Sequence, residues 1–215
     1  MQVRRSATLK EQAYEAILDC ILQNKIERGK IYSEQWFADY FRISRTPVRE
    51  ALLQLRMEGL VDVLPNRGVT VRTLTRQDAR NTFELRAAIE GFCAANLAHH
   101  HAEPEAQRAL ARIAEALERC RVDFSQKDEL FIHEEIIRFS GNPLFQEQFD
   151  NMRTRVNIFW WNVIEAEHRR DQVYEEHKAI LDAMTAGDEA GALDASYRHS
   201  RITLDVLFER FSFEE

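Results

Sequence analysis

The stretch Ser44-Arg45-Thr46-Pro47-Val48-Arg49-Glu50-Ala51-Leu52-Leu53-Gln54-Leu55-Arg56-Met57-Glu58-Gly59 decides how this chain is read. Val48, Ala51, Leu52 and Leu55 recur at helical spacing, so one face of a helix turns inward. Pro47 falls in the first turn, where a missing N–H costs nothing, and Gly59 ends the run. Ser44 or Thr46 can cap the helix, and its free N–H groups suit a phosphate. Arg45 and Arg49, one turn apart, share the outward face. A helix that enters the major groove needs this division, and arginine is well shaped to grip guanine through two hydrogen bonds.

Working upstream, Leu9, Ala13, Ala16, Ile17, Cys20 and Ile21 predict an amphipathic helix over 8–24. Ser33 opens a short helix carrying Trp36, Phe37, Ala38 and Phe41. Downstream the period changes from helical to alternating. Val61 and Val63 flank Asp62, Val69 and Val71 flank Thr70, and Pro65-Asn66-Arg67-Gly68 forms the turn between them. That is a hairpin over 60–72. Three helices and a hairpin in about seventy residues make a winged helix-turn-helix.

Charge follows the same division. Residues 1–72 carry 12 Lys and Arg against nine Asp and Glu, and the remainder carries 17 against 27. The net charge of -7 thus hides a basic N-terminal third suited to nucleic acid. Cys20, Cys93 and Cys120 are scattered with no CxxC pair, which excludes a thiolate zinc knuckle and reads as three buried thiols. Neither a membrane span nor an apolar signal core is visible, so a cytoplasmic protein is expected.

From Thr75 onward the pattern is helical throughout. Thr75-Arg76-Gln77-Asp78 resembles a capping box opening a helix to about His101. Further helices are predicted over 104–122, 127–139, 144–168, 171–186 and 188–212. The expected fold is mainly α: a winged helix-turn-helix over 1–73 and an all-α helical bundle over 74–215. His99-His100-His101 reads as a helix terminus, because adjacent residues cannot converge on one ion. His168, among Glu165, Glu167, Arg169 and Arg170, reads as surface.

Ser44 to Leu52, followed by Glu58-Gly59-Leu60-Val61 and by Asn66-Arg67-Gly68-Val69-Thr70-Val71, resembles the GntR family of transcription regulators. The all-helical C-terminal part resembles its FadR subfamily, whose effector domain is called FCD. The resemblance implies DNA contacts by Ser44, Arg45, Thr46, Pro47 and Arg49, with the wing tip at Arg67 and Gly68. Where the family often has a basic residue, this chain has Gln35.

The family also implies a metal ion held by one Asp and three His. His177 and His199, 22 positions apart across Gly187-Asp188, have the spacing of the last two ligands. His133 fits the first histidine, but Glu129 stands where the family has Asp. Glu129 and His133 share a helical face, whereas Asp128 points about a quarter-turn away. Such a ligand set suits a divalent ion, zinc first, with nickel or manganese also compatible. The family's effector is a small organic acid bound near the metal. Arg86 fits the position of a carboxylate-facing arginine, or pairs with Glu90 one turn on. Asn157, Trp160, Trp161 and Tyr197 could line that cavity or be plain core.

The expectation is therefore a repressor that is not an enzyme. It binds double-stranded operator DNA as a homodimer and answers to an organic acid. The alternative is a metal-dependent helical enzyme fused to a DNA-binding module.

Overall fold

The computed structural model describes residues 8–22, 25–65, 67–164, 168–210 and 213, the side chains at 158 and 160–162 excepted. Asn66, Trp160, Trp161, and the expected helix residues 23–24, 165–167 and 211–212 lie outside the described residues or side chains. The chain divides into two compact units, with the break between Thr75 and Arg76.

The first unit runs α1 (Leu9–Leu22), β1 (Ile31–Tyr32), α2 (Glu34–Phe41), α3 (Arg45–Met57), β2 (Val61–Leu64) and β3 (Gly68–Val71). Its core uses Ala13 and Ile17 of α1, Phe37 of α2, and Val48, Ala51, Leu52 and Leu55 of α3, as the periodicity predicts. Leu9 at the start of α1, however, has nothing among the described residues to pack on and is 57% exposed. The Ser33 hydroxyl accepts from the Trp36 amide at 3.0 Å and caps α2. Tyr14 ties α1 to the end of α3 by donating to buried Glu58 at 2.7 Å.

The hairpin is present, with Val61 opposite Val71 and Val63 opposite Val69. The structure adds a third strand that the sequence reading lacks, in the antiparallel order β1-β3-β2. Two residues offer no alternation to detect, and β1 exists only because β3 supplies its partners. The addition explains Gly68. Its φ is +127°, and a Cβ there would meet the Tyr32 carbonyl oxygen at 2.3 Å. Glycine is needed where the wing's second strand passes β1.

The second unit is an all-α bundle of α4 (Arg76–His99), α5 (Pro104–Val122), α6 (Gln126–Phe139), α7 (Pro143–Ile164), α8 (Arg169–Ala186) and α9 (Glu189–Arg210). Helix α4 packs on α6, α7, α8 and α9 and is the axis of the bundle. An apolar cluster from Ile89, Cys93 and Leu97 of α4, Ile113 of α5, Ile132 and Ile136 of α6 and Met184 of α8 fills one part. Beside it lies a polar interior: Arg86 and Glu90 of α4 with the acids and histidines of α6, α8 and α9. No described helix is long and apolar enough to cross a membrane. All three cysteines are buried and free.

The helix expected over 144–168 does not reach His168, which has left-handed φ (57°) and precedes α8. His168 is exposed as expected, but its neighbour Arg169 is fully buried. His99 ends α4, and the Nδ1 atoms of His100 and His101 sit 2.9 Å from the carbonyl oxygens of Asn96 and Ala98. The histidine run thus finishes a helix.

Candidate functional site

Two groups of residues carry chemistry, one in each unit. In the first, α3 begins at Arg45 with Ser44 as N-cap, and the Ser44 side chain makes no capping bond. Thr46 and Pro47 complete the first turn, and Pro47 is buried. Arg45 and Arg49 project outward, their side chains 63% and 70% exposed. Both meet Glu34 at the start of α2: Arg45 at 3.3 Å and Arg49 at 3.9 Å. Gln35 turns to Asp39 at 2.7 Å within α2. Arg67 is exposed in the wing turn and Gly68 begins β3.

The second group is built from the capping of α6. Ser125 caps the helix, accepting from the Asp128 amide at 3.1 Å and donating to its carboxylate at 2.7 Å. Arg119 takes the other Asp128 oxygen at 2.7 Å. Asp128 is thereby held at the rim, while Glu129 turns inward and is 5% exposed. Glu129 and His133 from α6, His177 from α8 and His199 from α9 offer ligand atoms that all lie within 4.8 Å of one another. All four side chains are buried. The His177 and His133 Nε2 atoms are 3.0 Å apart, and the His177 and His199 ring centroids 4.5 Å.

Carboxylates stand behind two of the imidazoles. Burial pushes the Glu90 carboxyl up, but Arg86 and His133 outweigh it and hold its pKa at about 2. Glu90 is therefore an acceptor, and the His133 Nδ1–H donates to it at 2.9 Å. The Glu176 carboxyl is likewise lowered against its burial, by His199 and Arg169, and His199 Nδ1–H donates to it at 2.7 Å. Fully buried Arg169 braces Glu176, its Nη2 3.0 Å from that carboxylate and 2.9 Å from the Thr203 hydroxyl. Fixing the proton on Nδ1 leaves the Nε2 lone pairs of His133 and His199 facing inward, the usual arrangement behind a metal-bound histidine.

The two inward atoms differ: His133 Nε2 lies 3.2 Å from the Glu129 carboxylate and 3.0 Å from His177 Nε2. His199 Nε2 is buried and has no hydrogen-bond partner. His133 Nε2 receives an Arg86 amino group at 2.6 Å, while the Arg86 Nε donates to Glu90 at 2.8 Å. Burial first, then the neighbouring cationic groups, drives the His177 pKa well below its ordinary value. Burial also lowers His199, despite the opposing Glu176. His177 and His199 are thereby held toward the neutral form that ligates metal, whereas Glu90 and Glu129 raise His133 against its burial and the Arg86 charge. Atoms about 2.0–2.2 Å from one ion lie at most about 4.4 Å apart. The donor set fits a divalent ion, and its span of up to 4.8 Å would have to close by a few tenths of an ångström around it.

Two residues expected at an effector cavity lie on α9 and α7. Tyr197 is 47% exposed and lines a groove with Arg80, Phe83, Ser200 and Arg201. Two residues from His199 is about 200° of helix rotation, so Tyr197 points away from the histidines. Asn157 is half-buried on α7. Arg86 is brought into the centre, where it makes the expected pair with Glu90 and also touches His133. Glu176 and Arg169 were missed. Their partners lie on α9 or seven residues along α8, beyond any local pattern.

Residues 9–71 match the family described as bacterial regulatory proteins, gntR family, and residues 81–201 match the FCD domain. A probable D-xylose utilization operon transcriptional repressor from Paenarthrobacter nicotinovorans is 29% identical over 89% of this chain and 85% of its own length. The gluconate operon transcriptional repressor of Bacillus subtilis (strain 168) is 31% identical over 75% of this chain and 67% of its own. The solved structure of E. coli McbR/YncC has the same fold, with a TM-score of 0.72 and 21% identity over 95% of this chain and 99% of that one. These matches cover both the arginine-bearing helix and the histidine centre, and they set aside the enzyme alternative. The chain belongs to the gntR family of bacterial regulatory proteins with an FCD domain, and it is a DNA-binding transcriptional regulator.

Proposed function

We propose that this regulator is a cytoplasmic repressor whose hold on operator DNA is set by a small organic acid bound beside a divalent metal. Residues 1–73 read DNA, and residues 74–215 bind the effector and join two copies. The observation that carries the effector half is the buried convergence of three imidazoles and one carboxylate, with His199 Nε2 left without a partner. A buried polar atom in that state costs stability unless something fills the site.

Glu129, His133, His177 and His199 would hold the ion, zinc in preference to nickel or manganese. When bound, the ion would supply a Lewis-acidic position for an effector carboxylate. Arg86 cannot keep its bond to His133 Nε2 when that lone pair serves as a ligand. Its guanidinium is then available to the carboxylate of the acid. The name of the gluconate operon relative makes sugar acids the first panel to try.

In the DNA-reading unit, Ser44, Arg45, Thr46, Pro47 and Arg49 meet the major groove, with Arg67 and Gly68 at the wing. One such unit covers little DNA, so two copies reading two half-sites are expected. A face for the second copy is the apolar stripe of α4. Leu85, Ala88 and Phe92 are exposed at i, i+3 and i+7, and Phe92 touches Phe145 of α7 with ring centroids 5.5 Å apart. Leu144 beside it is 64% exposed. Phe92→Glu is expected to sediment as a monomer and to lose affinity for a two-half-site duplex. Unchanged sedimentation would place the contact elsewhere.

The function is tested by thermal-shift titration of untagged protein with zinc, nickel and manganese, followed by organic acids on the loaded protein. Stabilisation by a metal and then by an acid is expected. The same acid should weaken binding to a duplex selected from a random pool, because the effector must favour one state over the other. Metal content below about a tenth of an equivalent per chain, unrestored by any of the three ions, would overturn the metal reading.

A further inference from the structure

Glu34 is an acid placed where a DNA-binding surface would be expected to avoid one. It sits at the first position of α2, and its two oxygens face Arg45 and Arg49 of α3 at 3.3 and 3.9 Å. Its side chain is 31% exposed, less than half the exposure of either arginine. Ser33 caps α2 at the preceding residue, which fixes the backbone that carries it. The adjacent Gln35 is neutral and tied to Asp39, so nothing beside Glu34 offsets its charge along that turn.

We propose that Glu34 is a positioning residue for the two arginines and that it raises discrimination between sequences more than affinity. The inference rests on the reading of Arg45 and Arg49 as groove-facing. A guanidinium carries five N–H donors, so one bond to Glu34 leaves enough for a two-point grip on guanine. Holding both side chains from one carboxylate reduces the freedom they lose when a base edge is met. A phosphate approaching the same guanidinium meets the Glu34 charge within the screening length, and so pays a repulsion that a base edge does not. Sequence-blind binding, which is nearly all phosphate contact, is therefore penalised most. An exposed pair of this kind adds little to folding, so the effect belongs to binding.

The test uses the full-length protein with two probes: a duplex selected by the wild-type chain from a random pool, and a scrambled duplex of the same composition. Glu34→Gln keeps shape and removes charge. Its affinity for the scrambled duplex is expected to rise about two- to fivefold. Its ratio of selected to scrambled affinity should fall at least about fivefold. Its base-preference profile should broaden at the positions that Arg45→Ala or Arg49→Ala also flattens. Glu34→Asp, which restores the charge on a shorter arm, should recover part of the ratio. A ratio within about twofold of wild type overturns the inference. So does an equal loss on both duplexes with a lowered melting temperature, which would mark Glu34 as merely structural. If Arg45→Ala and Arg49→Ala leave the profile intact, the groove-facing reading itself fails. If those flatten it and Glu34→Gln does not, only the role of Glu34 falls.

Discussion

Arg45→Ala is expected to nearly abolish selective operator binding while leaving the fold intact. The Arg45 side chain is 63% exposed, and its one described ion pair is the surface contact to Glu34. Its removal should change folding stability by no more than about 0.5 kcal/mol. A lost two-point contact to a base is worth about 1–3 kcal/mol per half-site. Two copies on one operator then lose about 2–6 kcal/mol, roughly thirtyfold to ten-thousandfold in affinity. Arg49→Ala should behave alike. The measurement is fluorescence anisotropy on the selected and scrambled duplexes across a salt series. A phosphate contact would weaken both duplexes equally and reduce the salt slope by about one. A base contact weakens the selected duplex far more. Unchanged affinity in both variants would refute the assignment of α3 as the reading helix.

The parts of this molecule that were legible in the sequence are those whose cause is local. The periodicity of Val48, Leu52 and Leu55, bounded by Pro47 and Gly59, marks α3, and those residues are buried as expected. The choice of Glu129 over Asp128 rested on the family's spacing of four residues before His133 and on helix angle, and in the structure Glu129 faces His133 while Ser125 and Arg119 hold Asp128 at the rim. What stayed hidden depends on contacts between distant segments. Strand β1 is two residues long and is defined by β3. Arg169 sits in a run of charge that reads as surface, yet Glu176 and Thr203 make it an internal brace. Glu90 could be paired with Arg86 along its own helix, but its bond to His133 spans from α4 to α6.

The buried histidines make a second large prediction, one that separates a site from a piece of core. His177 is 2% exposed, stands 3.0 Å from His133, and is pressed toward neutrality by burial and its cationic neighbours. In protein stripped of metal it is a desolvated polar group whose inward nitrogen meets the nitrogen of another imidazole instead of a carboxylate. Leucine is close to it in size and needs no partner. The metal-free melting temperature of His177→Leu is therefore expected to equal or exceed that of the wild type, because an apolar replacement of a poorly satisfied polar cluster is often stabilising. With metal the order reverses. At a hundredfold excess over Kd, the wild type should gain about 2.7 kcal/mol, some 5–11 °C for a domain of this size. His177→Leu should gain almost nothing. A structural role predicts the opposite pattern: loss in the metal-free protein, and no metal-dependent gain for the variant to forfeit. If His177→Leu lowers the metal-free stability by more than about 2 kcal/mol and zinc, nickel and manganese all fail to stabilise the wild type, the centre is a polar knot of the core. Crossing curves would mean that the fold tolerates this buried histidine cluster for the sake of what it binds.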